Sequence, residues 1–297
     1  MNEEELRKAI EVQQAVVLAF VAAHQRELKK LRQKRLLALA RSIWEYPRLV
    51  QYVGNRSHED VATMMEKMTP VPVKPVRPKR TMQVVKPGKN RLLFTHRDMI
   101  QSQIELYWAD GILDTSKIVD YGYYGNYMGG SMGGVIFQEI REARGLAYSA
   151  WGGYSQGHWA GDDNRVVAVT STQADKTIEA AVLLDKLMRE PPMSATRFTE
   201  TQKYMEESYR TSPIHFREAP FSVLRWEEQG ITGGDPRPAW FERTKAYRLE
   251  DLKAFSDRFK AVQGTIVVLG NKERVDMAKL KELGEFDLVP LRKIFPY

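Results

Sequence analysis

Leu6, Ile10, Val17, Val21, Leu28, Leu31 and Leu39, with His24 among them, recur at roughly helical spacing. The pattern predicts one or two long helices over residues 3–47, stopped by Pro47. Their polar face is dense in Lys, Arg, Glu and Gln. A shorter helix is predicted over residues 57–68, with Ser57 as N-cap and Glu59 and Asp60 in a first turn that favours negative charge. Residues 1–70 hold too few apolar side chains for a large core. They read as a helical arm or hairpin that packs on something else, within this chain or outside it.

Beyond a proline-rich stretch at 71–90 the pattern changes. Short strands are predicted at 91–96 and 103–108, then a helix over 115–127 that ends at Gly129 and Gly130. Ser131 is placed to cap a second helix running to Ala143, with Gly145 as its stop. Residues 146–155 and 165–172 read as paired strands. Residues 172–189 form an amphipathic helix carrying Ile178, Ala181, Leu184 and Leu187, broken by Pro191-Pro192. Helices follow at 194–208, 216–228, 238–246 and 249–259, then a buried strand at 264–269 and a last helix at 275–283. This order predicts an α+β domain over 91–297: one largely antiparallel or mixed sheet with helices mainly on one face, preceded by the helical arm. No internal repeat is evident.

Composition adds bounds. The 297 residues are 43% hydrophobic, enough for one large or two smaller cored domains. Net charge is +7, but unevenly spread. Lys74, Arg77, Lys79, Arg80, Lys86, Lys89 and Arg91 are interleaved with Pro75, Pro78 and Pro87, without one acid. Three readings are open there: a solvated, semi-extended linker, a docking strip for an acidic neighbour, or a nucleic-acid contact. No nucleic-acid recognition motif accompanies the charge, so no nucleic-acid partner is expected. There is no cysteine, hence no disulfide and no thiolate zinc site. That composition suits cytoplasm or periplasm equally. The start Met1-Asn2-Glu3-Glu4-Glu5 lacks a positive n-region, so no secretory leader is expected unless the chain is a fragment of a longer precursor. The longest apolar run, residues 15–23, is about half of a membrane span.

Candidate chemistry concentrates at residues 126–149. Gly129-Gly130 and Gly133-Gly134 free the backbone either to expose amides to a ligand or to pack tightly. The spacing is neither G-x-G-x-x-G nor a Walker loop, which argues against nucleotide binding. Arg141, near a predicted helix C-terminus, is a dipole partner, an ion-pair partner for Glu142 or the neighbourhood of Glu139, or a ligand contact. Tyr148 is a half-buried strand aromatic or a hydroxyl donor. Their spacing across Gly145 can bring guanidinium and phenol to one helix–strand junction, where they would hold a peptide carbonyl or developing oxyanion. The aromatics around the motif (Tyr107, Trp108, Tyr121, Tyr123, Tyr124, Tyr127, Trp151, Tyr154 and Trp159) would line a peptide pocket or fill a core.

The stretch from Asn126-Tyr127-Met128-Gly129-Gly130 through Phe137-Gln138-Glu139-Ile140-Arg141-Glu142 to Gly145-Leu146-Ala147-Tyr148-Ser149 resembles the signature of M16 (insulinase- or pitrilysin-like) zinc peptidase lobes. Gln101 to Leu106, Gly161 and residues 170–181 and 198–208 are similar too, so the resemblance spans roughly 85–270. It departs at Gly133-Gly134-Val135-Ile136, where the family usually carries polar and basic residues. The resemblance implies a non-catalytic, C-terminal-type lobe. Such a lobe encloses extended, unfolded peptide and brings Arg141 and Tyr148 to the active site of a zinc-bearing partner lobe, with Gly129, Gly130, Ser131 and Gly133 touching substrate.

The catalytic lobe of that family carries His-x-x-Glu-His and a distant Glu. Here His24, His58, His96, His158 and His215 include no pair four apart. No cofactor is therefore expected in this chain, zinc belonging to the partner lobe, which is either part of the same longer chain or a separate protein. The chain alone is not expected to cleave peptides. Two other readings stay open: a structural M16-like module like the core proteins of respiratory complexes, and an unrelated basic binding protein.

Overall fold

Alternation of apolar and polar side chains shapes the sheet. In β2 (Gln101–Ile112), Ser102, Ile104, Leu106 and Trp108 point inward, while Gln101, Gln103 and Glu105 face outward. β4 (Asp163–Gln173) repeats this with Asn164, Val166, Ala168, Thr170 and Thr172 inside. The computed structural model describes residues 33–42, 45–46, 49–68, 84–130 and 132–294. Two compact units are present, Met1–Arg80 and Thr81–Tyr297.

In the first unit, α1 spans Gln33–Ser42 and α2 spans His58–Met68. The Asp60 amide donates to Ser57 Oγ at 3.1 Å, so Ser57 caps α2 as its position predicts. Val61 is the buried apolar residue of that helix. The rest of the predicted arm, residues 3–32, and most of the proline-rich stretch lie outside the described residues.

The second unit holds one mixed sheet. Besides β2 and β4 it contains β1 (Arg91–His96), β3 (Ala147–Ser155), β5 (Thr265–Gly270) and β6 (Glu285–Leu288). Their order is β3-β4-β2-β5-β1-β6. The β3/β4, β4/β2 and β2/β5 pairs are antiparallel, and β5/β1 and β1/β6 are parallel. This is the α+β architecture that the element order predicts, with one extra edge strand. β6 is four residues long and mostly exposed, and it pairs in parallel. It therefore leaves neither a strong alternation nor a hairpin turn in the sequence.

Helices cover the inward face. α3 (Ile118–Gly129), α4 (Thr177–Arg189), α5 (Ala195–Thr211) and α8 (Leu249–Asp257) send residues into the core. α6 (Ala219–Glu228), α7 (Arg237–Ala246), α9 (Met277–Lys281) and α10 (Leu291–Ile294) complete the set. Most of the aromatics left open between pocket and core are core: Trp108, Tyr121, Tyr123, Tyr124 and Tyr127 are buried. Three of the buried α3 phenols donate to backbone carbonyls, while that of Tyr121 accepts from the Asp114 amide at 3.3 Å and from Asn164 Nδ2 at 3.2 Å. Tyr123 donates to the Thr244 carbonyl at 2.8 Å, Tyr124 to that of Met188 at 2.5 Å, and Tyr127 to that of Pro192 at 2.7 Å. Tyr154 donates to Asp110 at 2.6 Å and stacks on Tyr121, with ring centroids 4.4 Å apart. Trp151, by contrast, is 43% exposed on the other face of the sheet.

Burial holds the Tyr124 and Tyr154 phenols well above their ordinary value of 10, and for Tyr154 the hydrogen bond to Asp110 adds to it. The unfolded chain ionises near 10, so the stability these groups contribute is complete below that pH and declines above it. In a base titration followed by tyrosinate absorbance and circular dichroism, part of the tyrosine signal is expected to appear only together with unfolding, above pH 10. Full ionisation near pH 10 with native circular dichroism would contradict this packing.

Candidate functional site

The segment singled out by sequence runs from the end of α3 into β3. Gly129 is in the last turn of α3, against the backbone of β3. A methyl group built there would overlap the Gly152 carbonyl oxygen and come within 3.0 Å of the Gly152 amide nitrogen. The absent side chain is thus accounted for by close helix–sheet approach. Gly130 closes the helix, its amide donating to the Asn126 carbonyl at 3.0 Å. Ser131 lies outside the described residues.

The helix predicted over 131–143 has a different form. Residues 132–134 make a turn, a helical start follows at Val135, and Phe137–Glu142 is π-helical. Successive glycines at 133 and 134 disfavour helix, which explains the late start. The wider winding shows in the Ala143 amide, which bonds to the Gln138 carbonyl five residues back at 2.9 Å. Short π segments of this kind are frequent at functional sites. Val135, Ile136 and Ile140 are fully buried, so the apolar departure from the family pattern at 135–136 fills the core.

Ile140 faces inward and Arg141 outward. The Arg141 side chain is 37% exposed, its Nε 3.5 Å from Glu142 Oε1 and its guanidinium 4.8 Å from the centre of the Phe137 ring. Glu139 pairs instead with Arg144, at 2.8 Å. Gly145 then takes a left-handed φ of +58°, the stop that its position predicts. The Gly145 amide donates to the Arg141 carbonyl and that of Leu146 to the Ile140 carbonyl, at 2.9 and 3.0 Å.

β3 begins two residues later with an irregularity. Ala147 pairs with Thr172 but Ser149 with Ser171, so residue 148 is an extra residue in the β3 strand. A bulge re-aims the chain locally and is common beside functional sites. The backbone of Tyr148 therefore follows the π segment across one left-handed glycine; its side chain lies outside the described residues.

Two contacts that the sequence reading missed fix the Gly-rich turn. Arg197, in the first turn of α5, donates from Nε to the Gly133 carbonyl at 2.9 Å, with its guanidinium 5.6 Å from the centre of the Tyr127 ring. Gln138 Nε2 donates to the Met132 carbonyl at 2.6 Å. Arg197 is more than sixty positions from Gly133, and no local pattern marks it.

Near this segment, part of the sheet face away from the core is accessible. Trp151, Val169, Glu105, Val267 and Leu93 form one row across β3, β4, β2, β5 and β1. The histidines gather no metal site: among the described residues no group of three His, Cys, Asp or Glu could hold a metal ion. His96 accepts from the Lys272 amide at 3.2 Å, His158 packs edge-on to Trp159, and His215 accepts from the Arg217 amide at 3.4 Å. No described helix is long and apolar enough to cross a membrane.

Comparison with solved structures shows the same fold. A peptidase M16 inactive domain from Pseudomonas fluorescens superposes with a TM-score of 0.58 at 16% identity, covering 74% of this chain and 52% of that one. For a conserved protein from Enterococcus faecalis V583 the values are 0.59, 13%, 74% and 51%. For the periplasmic protease PqqL from Escherichia coli they are 0.55, 12%, 74% and 25%. The chain thus spans about half the length of the first two and a quarter of the third. No match is found among the curated proteins. The family model described as "Peptidase M16 inactive domain" matches residues 50–205, more than half of the sequence, and the chain belongs to that family.

Proposed function

We propose that this chain is the non-catalytic half of an M16-type metallopeptidase. It closes over an extended, unfolded peptide held on a zinc-bearing partner lobe and offers Arg141 and Tyr148 to the scissile carbonyl. Zinc, bound by the partner, supplies the activated water. The described residues of this chain offer no ligand set for the metal, so their part is to bind and orient. Arg141 donates to the carbonyl oxygen as negative charge develops there, and Tyr148 adds a second donor. Gly129, Gly130, Ser131 and Gly133 border the path of the peptide. Residues 1–70 serve as a helical arm or inter-lobe linker, followed by the proline-rich basic linker at 71–90.

The observation that carries the reading is the π segment leading into a bulged strand. It leaves Arg141 on the outside with Ile140 buried, and starts residue 148 just beyond the turn. The test is reconstitution. The chain with zinc is expected not to cleave an unfolded peptide. Adding a His-x-x-Glu-His lobe from the same protein or gene neighbourhood is expected to produce cleavage that neither part shows alone. A zinc lobe equally active without this chain would favour the purely structural reading.

A further inference from the structure

Glu105 stands as a lone, solvent-exposed carboxylate on the outward face of the sheet. It lies near the middle of the accessible sheet face, with Val169 of β4 and Val267 of β5 directly beside it in register. Trp151 and Leu93 lie one strand further out on either side. Among the described residues the Glu105 carboxylate has no ion-pair or hydrogen-bond partner.

Glu105 also lines a shallow hollow of about 300 Å³, together with Gln103, Ser149, Val169, Ser171, Val267 and Leu269. It is the only charged residue there. That volume is at the small end for ligand sites and suits one side chain more than a whole metabolite. Val169, Val267 and Leu269 give part of its lining an apolar surface, and the polar groups at Gln103, Ser149 and Ser171 all carry acceptor oxygens. Such a hollow matches a long aliphatic stem ending in a cation.

We propose that this hollow receives a lysine or arginine side chain of the bound peptide, with Glu105 as its counter-ion and Val169, Val267 and Leu269 against its stem. The inference rests on the peptide-holding reading above and adds a substrate class to it: segments with a basic residue.

The test uses the full chain and two fluorescent, unstructured peptides, alike except that one carries arginine where the other carries uncharged citrulline. In anisotropy titrations the arginine peptide is expected to bind about tenfold more tightly, the scale of a hydrogen bond to a charged group. Glu105→Gln, which keeps shape and removes charge, is expected to abolish that preference while citrulline-peptide binding stays the same. Equal binding of both peptides to the wild-type chain would overturn the basic-residue inference and leave peptide holding intact. A preference surviving in Glu105→Gln would place the cation elsewhere and also overturn it. Binding of neither peptide would overturn both.

Discussion

Replacing Arg141 with alanine lowers peptide cleavage by the reconstituted two-lobe enzyme about 100-fold, the scale of losing one donor to a developing oxyanion. Stability changes little. The guanidinium is partly exposed, and its loose ion pair with Glu142 and its contact with the Phe137 ring are each worth under about 1 kcal/mol. The kinetics separate two ways of acting. If Arg141 meets the carbonyl mainly in the transition state, kcat falls; if it holds ground-state peptide equally well, KM rises instead. Arg141→Lys keeps the charge but loses the forked donor geometry, and is expected to recover only part of the rate. Tyr148→Phe removes one hydroxyl and should combine with Arg141→Ala in a non-additive way if both serve one oxygen. Wild-type rates in both single variants, measured on folded protein, would refute the assigned roles.

Gly129→Ala is expected to destabilise the second unit by about 3 kcal/mol, the upper end for over-packing. Alanine favours a helix by about 1 kcal/mol over glycine, so propensity alone predicts the opposite sign. Overlap decides here, because the obstacle is the Gly152 backbone, which has no rotamer through which to withdraw. The outcome is read from the midpoint of urea unfolding. Gly88→Ala is the control: open space surrounds that position, and its change should stay within about 0.5 kcal/mol. Since β3 must shift to admit the new methyl group, Gly129→Ala should lose reconstituted activity and stability together, unlike Arg141→Ala. An unchanged unfolding midpoint for Gly129→Ala would show that helix and strand are not in the contact described.

Much of this fold was legible in the sequence because its signals are local. Ser57, Gly145 and the alternation in β2 each act within a few residues. The less legible parts depend on distant partners. β6 gains its place only by pairing with β1, almost two hundred positions earlier. The π winding at Phe137–Glu142 differs from an α-helix by one residue in its hydrogen-bond span, and apolar periodicity does not resolve that over six residues. Of the candidate site, the Gly-rich turn and Arg141 stood out as a continuous motif, whereas Arg197, which fastens that turn, sits on another helix. The fate of the aromatics was open for the same reason. Tyr123 and Tyr124 owe their burial to Thr244, Met188 and Phe259, none of them near in sequence.

The strand order has a further consequence, for how the chain is made. β1 has only β5 and β6 as neighbours, and both lie after residue 264. While the protein is being synthesised, β1 leaves the ribosome first and waits for most of the remaining chain before either flank is paired. The β3-β4-β2 part can form early; the other half of the sheet closes last, across the largest separations in the fold, which slows completion. The segment that the family model matches ends at residue 205, before β5 begins. Cut out alone, that segment would leave β1 unpaired and one side of β2 bare, a sticky edge and not a smaller working domain.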